Sequence, residues 1–155
     1  MKAYLVVCPE SSGNRMISEL LESVGCKLID GRYNVVPLAK EDIVLTMSMP
    51  SNSHWYNVFD VTNMLKEKNY DVTVIVGVRE WFGTLASQVK RGRVPDIKAS
   101  ISSTQEAYKR IFGTMGYNDF IVVSFDRMID EPNYKTRVLE HLGLPTMTNY
   151  VTHRR

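Results

Sequence analysis

The run Tyr4-Leu5-Val6-Val7-Cys8 restricts the fold more than any other part of the chain. Side chains of a strand alternate between two faces, and here both faces are apolar, so the strand needs packing on both sides, as an inner strand of a parallel sheet does. Ile43-Val44-Leu45-Thr46-Met47-Ser48, Val72 to Val78 and Phe120 to Ser124 read as further strands. Helical periods fall between them. Ile17, Leu20, Leu21 and Val24 recur at i, i+3, i+4 and i+7 from a start at Gly13 to a stop at Gly25. A helix beginning near Asp60 carries Val61, Met64 and Leu65, and another runs from Trp81 to Lys90. Ser103-Thr104-Gln105-Glu106 has the form of a capping box and predicts a helix start, with Tyr108, Ile111, Phe112 and Met115 as its buried stripe. Tyr134 to Leu142 is stopped by Gly143 and Pro145, and Val35 to Pro37 adds a short extended piece. This alternation predicts an α/β three-layer sandwich around a central, mostly parallel sheet of about four to five strands, joined by right-handed crossovers.

At 155 residues the chain is read as one domain, spanning 1–155. Apolar residues at 44% and charged residues at 23% exclude a disordered or fibrous class. No apolar run approaches the roughly 18 residues that span a bilayer, and the N-terminus has no signal-peptide pattern, so the expected location is the cytoplasm. Cys8 and Cys26 form neither a disulfide framework nor a ligand pair and are read as reduced core thiols. His54, His141 and His153 are scattered, which gives no metal site, and no Gly-x-Ser-x-Gly elbow suggests a hydrolase. A net charge of +2 is too small for a specific nucleic-acid partner, although cations gather at Lys90, Arg91 and Arg93 and at His153-Arg154-Arg155.

In a parallel α/β sheet, ligands bind at the carboxyl ends of the strands. That brings the loops Glu10 to Arg15, Ser48 to His54 and Arg79 to Ser87 to one edge. In the first of them, Ser11-Ser12-Gly13-Asn14-Arg15 turns the chain from strand into helix and aims backbone N–H groups at one point, which favours an anion. The G-x-x-x-x-G-K-[ST] pattern of ordinary ATP- and GTP-binding loops is absent, and the turn has no Lys. Ser12 to Asn14 also suit a plain helix N-cap. Arg79, at the end of a central strand, has the planar fork that grips phosphate, or a surface pairing with Glu80 or Asp126. Ser87 is either a ligand or a helix serine bonded to its own turn.

Three segments together resemble sulfotransferases that use 3′-phosphoadenosine 5′-phosphosulfate (PAPS). Ser11-Ser12-Gly13-Asn14 is similar to their 5′-phosphosulfate loop. Val78-Arg79 followed by Ser87 matches the spacing of their 3′-phosphate segment. Ile121 to Pro132, leading to Leu139-Glu140-His141-Leu142-Gly143-Leu144-Pro145, is similar to their late strand, acidic-Pro step and Leu-Gly-Leu-Pro helix end. The resemblance spans most of the chain and implies a P-loop NTPase-like topology, as in a short, divergent bacterial or phage-type member, acting in the cytoplasm, or the host cytoplasm if phage-encoded. It departs from the family at three places. Ser11 stands where the family has a Lys, with Arg15 as the candidate replacement cation. Ser48 stands where many members have a catalytic His, with His54 later in the same loop. The family's Gly-rich basic loop has no counterpart, leaving Arg91, Arg93 or Arg154-Arg155 to close on the 3′-phosphate.

The resemblance implies transfer of a sulfuryl group from PAPS, as co-substrate and without a metal, to a hydroxyl or amine of a small-molecule or glycan acceptor. Ser11, Ser12, Gly13, Asn14 and Arg15 would hold the 5′-phosphosulfate, and Arg79 with Ser87 the 3′-phosphate. His54, or else Glu10, would take the acceptor proton. The alternatives are a nucleotide or nucleoside kinase of P-loop architecture and a non-catalytic nucleotide-binding module on the same fold.

Overall fold

A computed structural model describes residues 1–29 and 35–146. Five strands are present among the described residues: β1 (Lys2–Pro9), β2 (Lys27–Ile29), β3 (Ile43–Met49), β4 (Asp71–Val78) and β5 (Asp119–Ser124). Six α-helices accompany them: α1 (Asn14–Ser23), α2 (Val58–Glu67), α3 (Trp81–Lys90), α4 (Ile97–Phe112), α5 (Phe125–Asp130) and α6 (Tyr134–His141). The strand order is β2-β3-β1-β4-β5, and every pairing is parallel. β1 is therefore the central strand, with Val6 opposite Thr46 on one side and Ile75 on the other.

The two apolar faces of β1 feed two cores. Ala3, Leu5 and Val7 pack with Val58, Val61 and Leu65 of α2 and with Ala107 and Ile111 of α4. Tyr4, Val6 and Cys8 pack with Ile17, Leu20 and Leu21 of α1, Met128 of α5, and Val138 and Leu139 of α6. Burying each such aliphatic side chain contributes about 1.5–3 kcal/mol, so both layers are needed to hold one central strand. Gly77 of β4 lets α1 lie close to the sheet, because a Cβ there would overlap Cys8 Sγ and Ile17 Cδ1. The three-layer α/β expectation is met, with a sheet that is wholly rather than mostly parallel.

Several local expectations are corrected. The Ser103-Thr104-Gln105-Glu106 pattern starts no helix and lies inside α4, whose N-cap is Asp96, accepting from the Ala99 N–H at 2.8 Å. The buried stripe of α4 is Ser100, Thr104, Ala107 and Ile111, while Phe112 is exposed. Val35 to Pro37 joins no strand, and the edge strand is β2 instead. α2 begins two residues before Asp60, where the Asn57 side chain accepts from the Phe59 and Asp60 N–H groups. A separate helix, α5, occupies the segment after β5. Among the described residues no helix is long and apolar enough to cross a membrane.

Candidate functional site

Because β1, β3 and β4 run parallel, the turns that leave them meet at one edge, as the spacing predicts. The Glu10 N–H donates to the Met49 carbonyl at 3.2 Å, which fastens the loop after β1 to the end of β3. The Ser12 N–H donates back to the Pro9 carbonyl at 3.1 Å, and Ser11 and Gly13 take positive φ of 67° and 93°. Gly13 is the N-cap of α1 and supplies no capping side chain, whereas Asn57, Glu80, Asp96 and Ser124 cap α2, α3, α4 and α5 with their own oxygens. The first N–H groups of α1 thus face the turn with no side-chain acceptor, at the positive end of the helix dipole.

Polar side chains gather round this turn with unused capacity. The Ser11 and Ser12 hydroxyls are buried without a hydrogen-bond partner, and Ser12 is only 1% exposed. Asn14 Nδ2 donates to Ser48 Oγ at 2.7 Å and so ties the start of α1 to β3. Arg79 reaches the same turn, its Nη1 donating to the Ser11 carbonyl at 3.2 Å. The Phe125 ring lies 4.7 Å from the Arg79 guanidinium carbon and also covers Gly13, where a Cβ would overlap its edge. Arg79 Nε is buried and unpartnered, and among the described residues Arg79 forms no ion pair. The pairing with Glu80 or Asp126 is not made: the Asp126 carboxylate takes the Glu80 N–H at 2.8 Å instead.

Ser87 is half-buried and makes no hydrogen bond to Arg79 or to the loop among the described residues. It stands one helical turn beyond Gly83, whose missing side chain leaves room for the Arg79 guanidinium, so the two share a helix face. Its neighbour Gln88, which the sequence did not single out, is the buried link to the loop. Gln88 Nε2 donates to the Glu10 carbonyl at 2.8 Å and to Thr104 Oγ1 at 3.2 Å, while Ser100 Oγ donates to Gln88 Oε1 at 2.6 Å.

The Glu10 carboxylate meets Arg93 Nε at 3.2 Å, and Arg93 Nη1 also donates to Asn52 Oδ1 at 3.3 Å. Burial raises the Glu10 pKa above its usual value, opposed by Arg93 and then Arg91. A carboxyl so placed is a better proton acceptor than a solvated one. His54 is exposed on a tight turn closed by reciprocal hydrogen bonds with Ser51 at 2.9 Å, and its ring meets Tyr56 edge-on with centroids 4.4 Å apart. Trp55 and Tyr56 are partly buried against the core. Arg15 points along the outside of α1, paired with Glu19 at 2.8 Å and with its side chain 89% exposed, so the cation at the turn is Arg79. Arg154-Arg155 lie outside the described residues.

Tyr108, expected in the core, is half-buried beneath the turn. Burial is the main cause of its raised pKa, with Cys8 and then Asp126 adding to it, while the Arg79 backbone and the nearby Ser12 hydroxyl oppose. That hydroxyl approaches Tyr108 without reaching hydrogen-bond geometry. Cys8 and Cys26 are free and buried, and burial pushes their thiols to about 12 and about 11, which leaves them protonated and inert.

No family model matches the chain. No curated protein matches it either. Among solved structures it is similar to the unliganded crystal structure of a sugar kinase from Janibacter sp. HTCC2649, with a TM-score of 0.54 and 13% identity over 93% of this chain and 95% of that one. The likeness is one of fold: a three-layer α/β architecture around a parallel sheet.

Proposed function

We propose that the carboxyl edge of the sheet binds a nucleotide through its phosphates, and that the chain is a sulfotransferase moving a sulfuryl group from PAPS to a hydroxyl or amine of a small-molecule or glycan acceptor. One observation carries this reading: Arg79, with a buried, unpartnered Nε, is held at a turn whose Ser11 and Ser12 hydroxyls are also buried and unpartnered. Leaving buried polar groups unmade costs about 1–3 kcal/mol each, so three of them at an uncapped helix start fit an anionic ligand that satisfies them. Ser11 to Asn14 hold the phosphosulfate end, and Arg79 with Ser87 the 3′-phosphate. PAPS supplies the activated sulfuryl group. The chain's own part is to hold and orient the donor while Glu10 or His54 receives the acceptor proton. The cytoplasmic location belongs to the same proposal.

Calorimetric titration with 3′,5′-adenosine bisphosphate, AMP and ATP tests the reading. The bisphosphate is expected to bind more tightly than AMP, and Arg79→Ala to remove that preference. Equal affinities, or a preference that survives Arg79→Ala, would refute it. The likeness to a sugar kinase fold favours phosphoryl transfer as a second reading. ATP binding that outranks the bisphosphate and strengthens with magnesium would replace the first reading with this one.

A further inference from the structure

Between the 50–57 loop and the C-terminal end of α4 lies a cleft of about 480 Å³, the size of a small-molecule site. One wall holds Trp55, Tyr56 and Val58, and the other holds Lys109 and Arg110. Met49 also lines it. The Met49 carbonyl accepts the Glu10 N–H, which links this lining residue to the first residue of the loop after β1. The His54 ring meets that of Tyr56, a lining residue, edge-on.

The cleft combines ring surface with fixed positive charge. Arg110 lies 4.6 Å from the Trp55 ring centroid, and Glu106 takes its Nε at 2.8 Å. Among the described residues, that leaves Arg110 Nη1 and Nη2 without hydrogen bonds and Lys109 without an ion pair. Glu106 offsets the charge of Arg110, so Lys109 supplies the net positive charge of this wall. A guanidinium held by stacking presents its remaining donors in a fixed geometry, which suits a carboxylate or a similar anion.

We propose that this cleft is the acceptor subsite and that the acceptor is a hydroxyl compound carrying a planar ring and an anionic group. The ring lies against Tyr56 beside the Trp55–Arg110 stack, the anion meets Lys109 and Arg110, and the hydroxyl points toward Met49. This rests on reading the sheet edge as a group-transfer site. The probe pair is 4-hydroxybenzoate and its uncharged counterpart 4-hydroxybenzamide, followed through the Trp55 indole N–H by NMR, with Trp81→Phe assigning the signal.

The benzoate is expected to shift Trp55 saturably and to bind about tenfold more tightly than the amide, the worth of one charge-assisted hydrogen bond. Lys109→Gln, at an exposed position, is expected to remove most of that preference. No saturable shift, equal affinities, or a preference that survives Lys109→Gln would overturn the proposal. Neither probe carries a nucleotide, so failure here leaves the bisphosphate titration standing, and failure of that titration leaves the cleft result standing.

Discussion

Gly13 combines two demands that no other residue type meets. Its φ of 93° costs an L-residue about 1–2 kcal/mol, and a Cβ would also overlap the Phe125 ring that covers the turn. Gly13→Ala is therefore expected to lower stability by about 2 kcal/mol or more in urea unfolding, the sum of strain and overpacking. Adding Phe125→Ala should relieve the overlap but not the backbone term, so a double-mutant cycle separates them. Glu10 gives a second residue-scale test. Its folded-state pKa is raised, mainly by burial, so the native state holds this proton more tightly than the unfolded chain does. Its contribution to stability is full below the ordinary carboxyl value and is lost as pH rises through the raised one. Between those values stability should fall with increasing pH, and Glu10→Gln should remove that part of the slope. Arg93→Gln should move the Glu10 midpoint higher still, read from the carboxyl carbon by NMR, because it takes away the nearest opposing cation. An unmoved or lowered midpoint would show that Arg93 does not act on this carboxyl.

α4 sets the sharpest test at the scale of elements, because two of its residues compete for the role of helix start. Asp96 caps it, so Asp96→Ala should cost about 1 kcal/mol, whereas Ser103→Ala, inside the helix, should change stability by less than about 0.5 kcal/mol. Urea midpoints that ranked the two the other way would restore the capping-box reading. Gln88 joins α3, α4 and the loop after β1, and Gln88→Leu would leave the Glu10 carbonyl without this partner at a cost of about 1–3 kcal/mol. Elements whose residues are buried on two faces were legible in the sequence: β1, β3 and β4 stand out as apolar runs because both helical layers press on them. β2 was not, since Lys27-Leu28-Ile29 is a three-residue edge strand, too short to show a period and only partly buried. The start of α4 was misread for a different reason. A Ser/Thr followed three residues later by Glu also occurs within helices, and nothing local distinguishes it from a cap until Asp96 and its Ala99 partner are seen together.

For the whole molecule, the sheet order decides what the site contains. The loop at Ser11 to Asn14 and the cation at Arg79 could be read in advance because each is announced by a strand that ends in a polar turn. The bond from Gln88 to Glu10 spans 78 residues and that from Arg93 to Asn52 spans 41, so only the placement of β1 between β3 and β4 brings these partners together. No periodicity or spacing carries that information. The same geometry makes the edge a shared structural joint, since the loop is bonded to β3 through Met49 and Ser48, to the end of β4 through Arg79, and to α3 through Gln88. A ligand that fills the turn should therefore stabilise the fold as a unit. At 100 times its dissociation constant, 3′,5′-adenosine bisphosphate should add about 2.7 kcal/mol. For a chain of this size that raises the thermal midpoint by about 5 to 10 °C. Arg79→Ala at the same ligand concentration should lose most of the rise, while Asp96→Ala, at a helix cap outside the residues assigned to the ligand, should keep it in full above its own lower baseline. A rise of equal size in Arg79→Ala would mean that the bisphosphate binds elsewhere on the molecule.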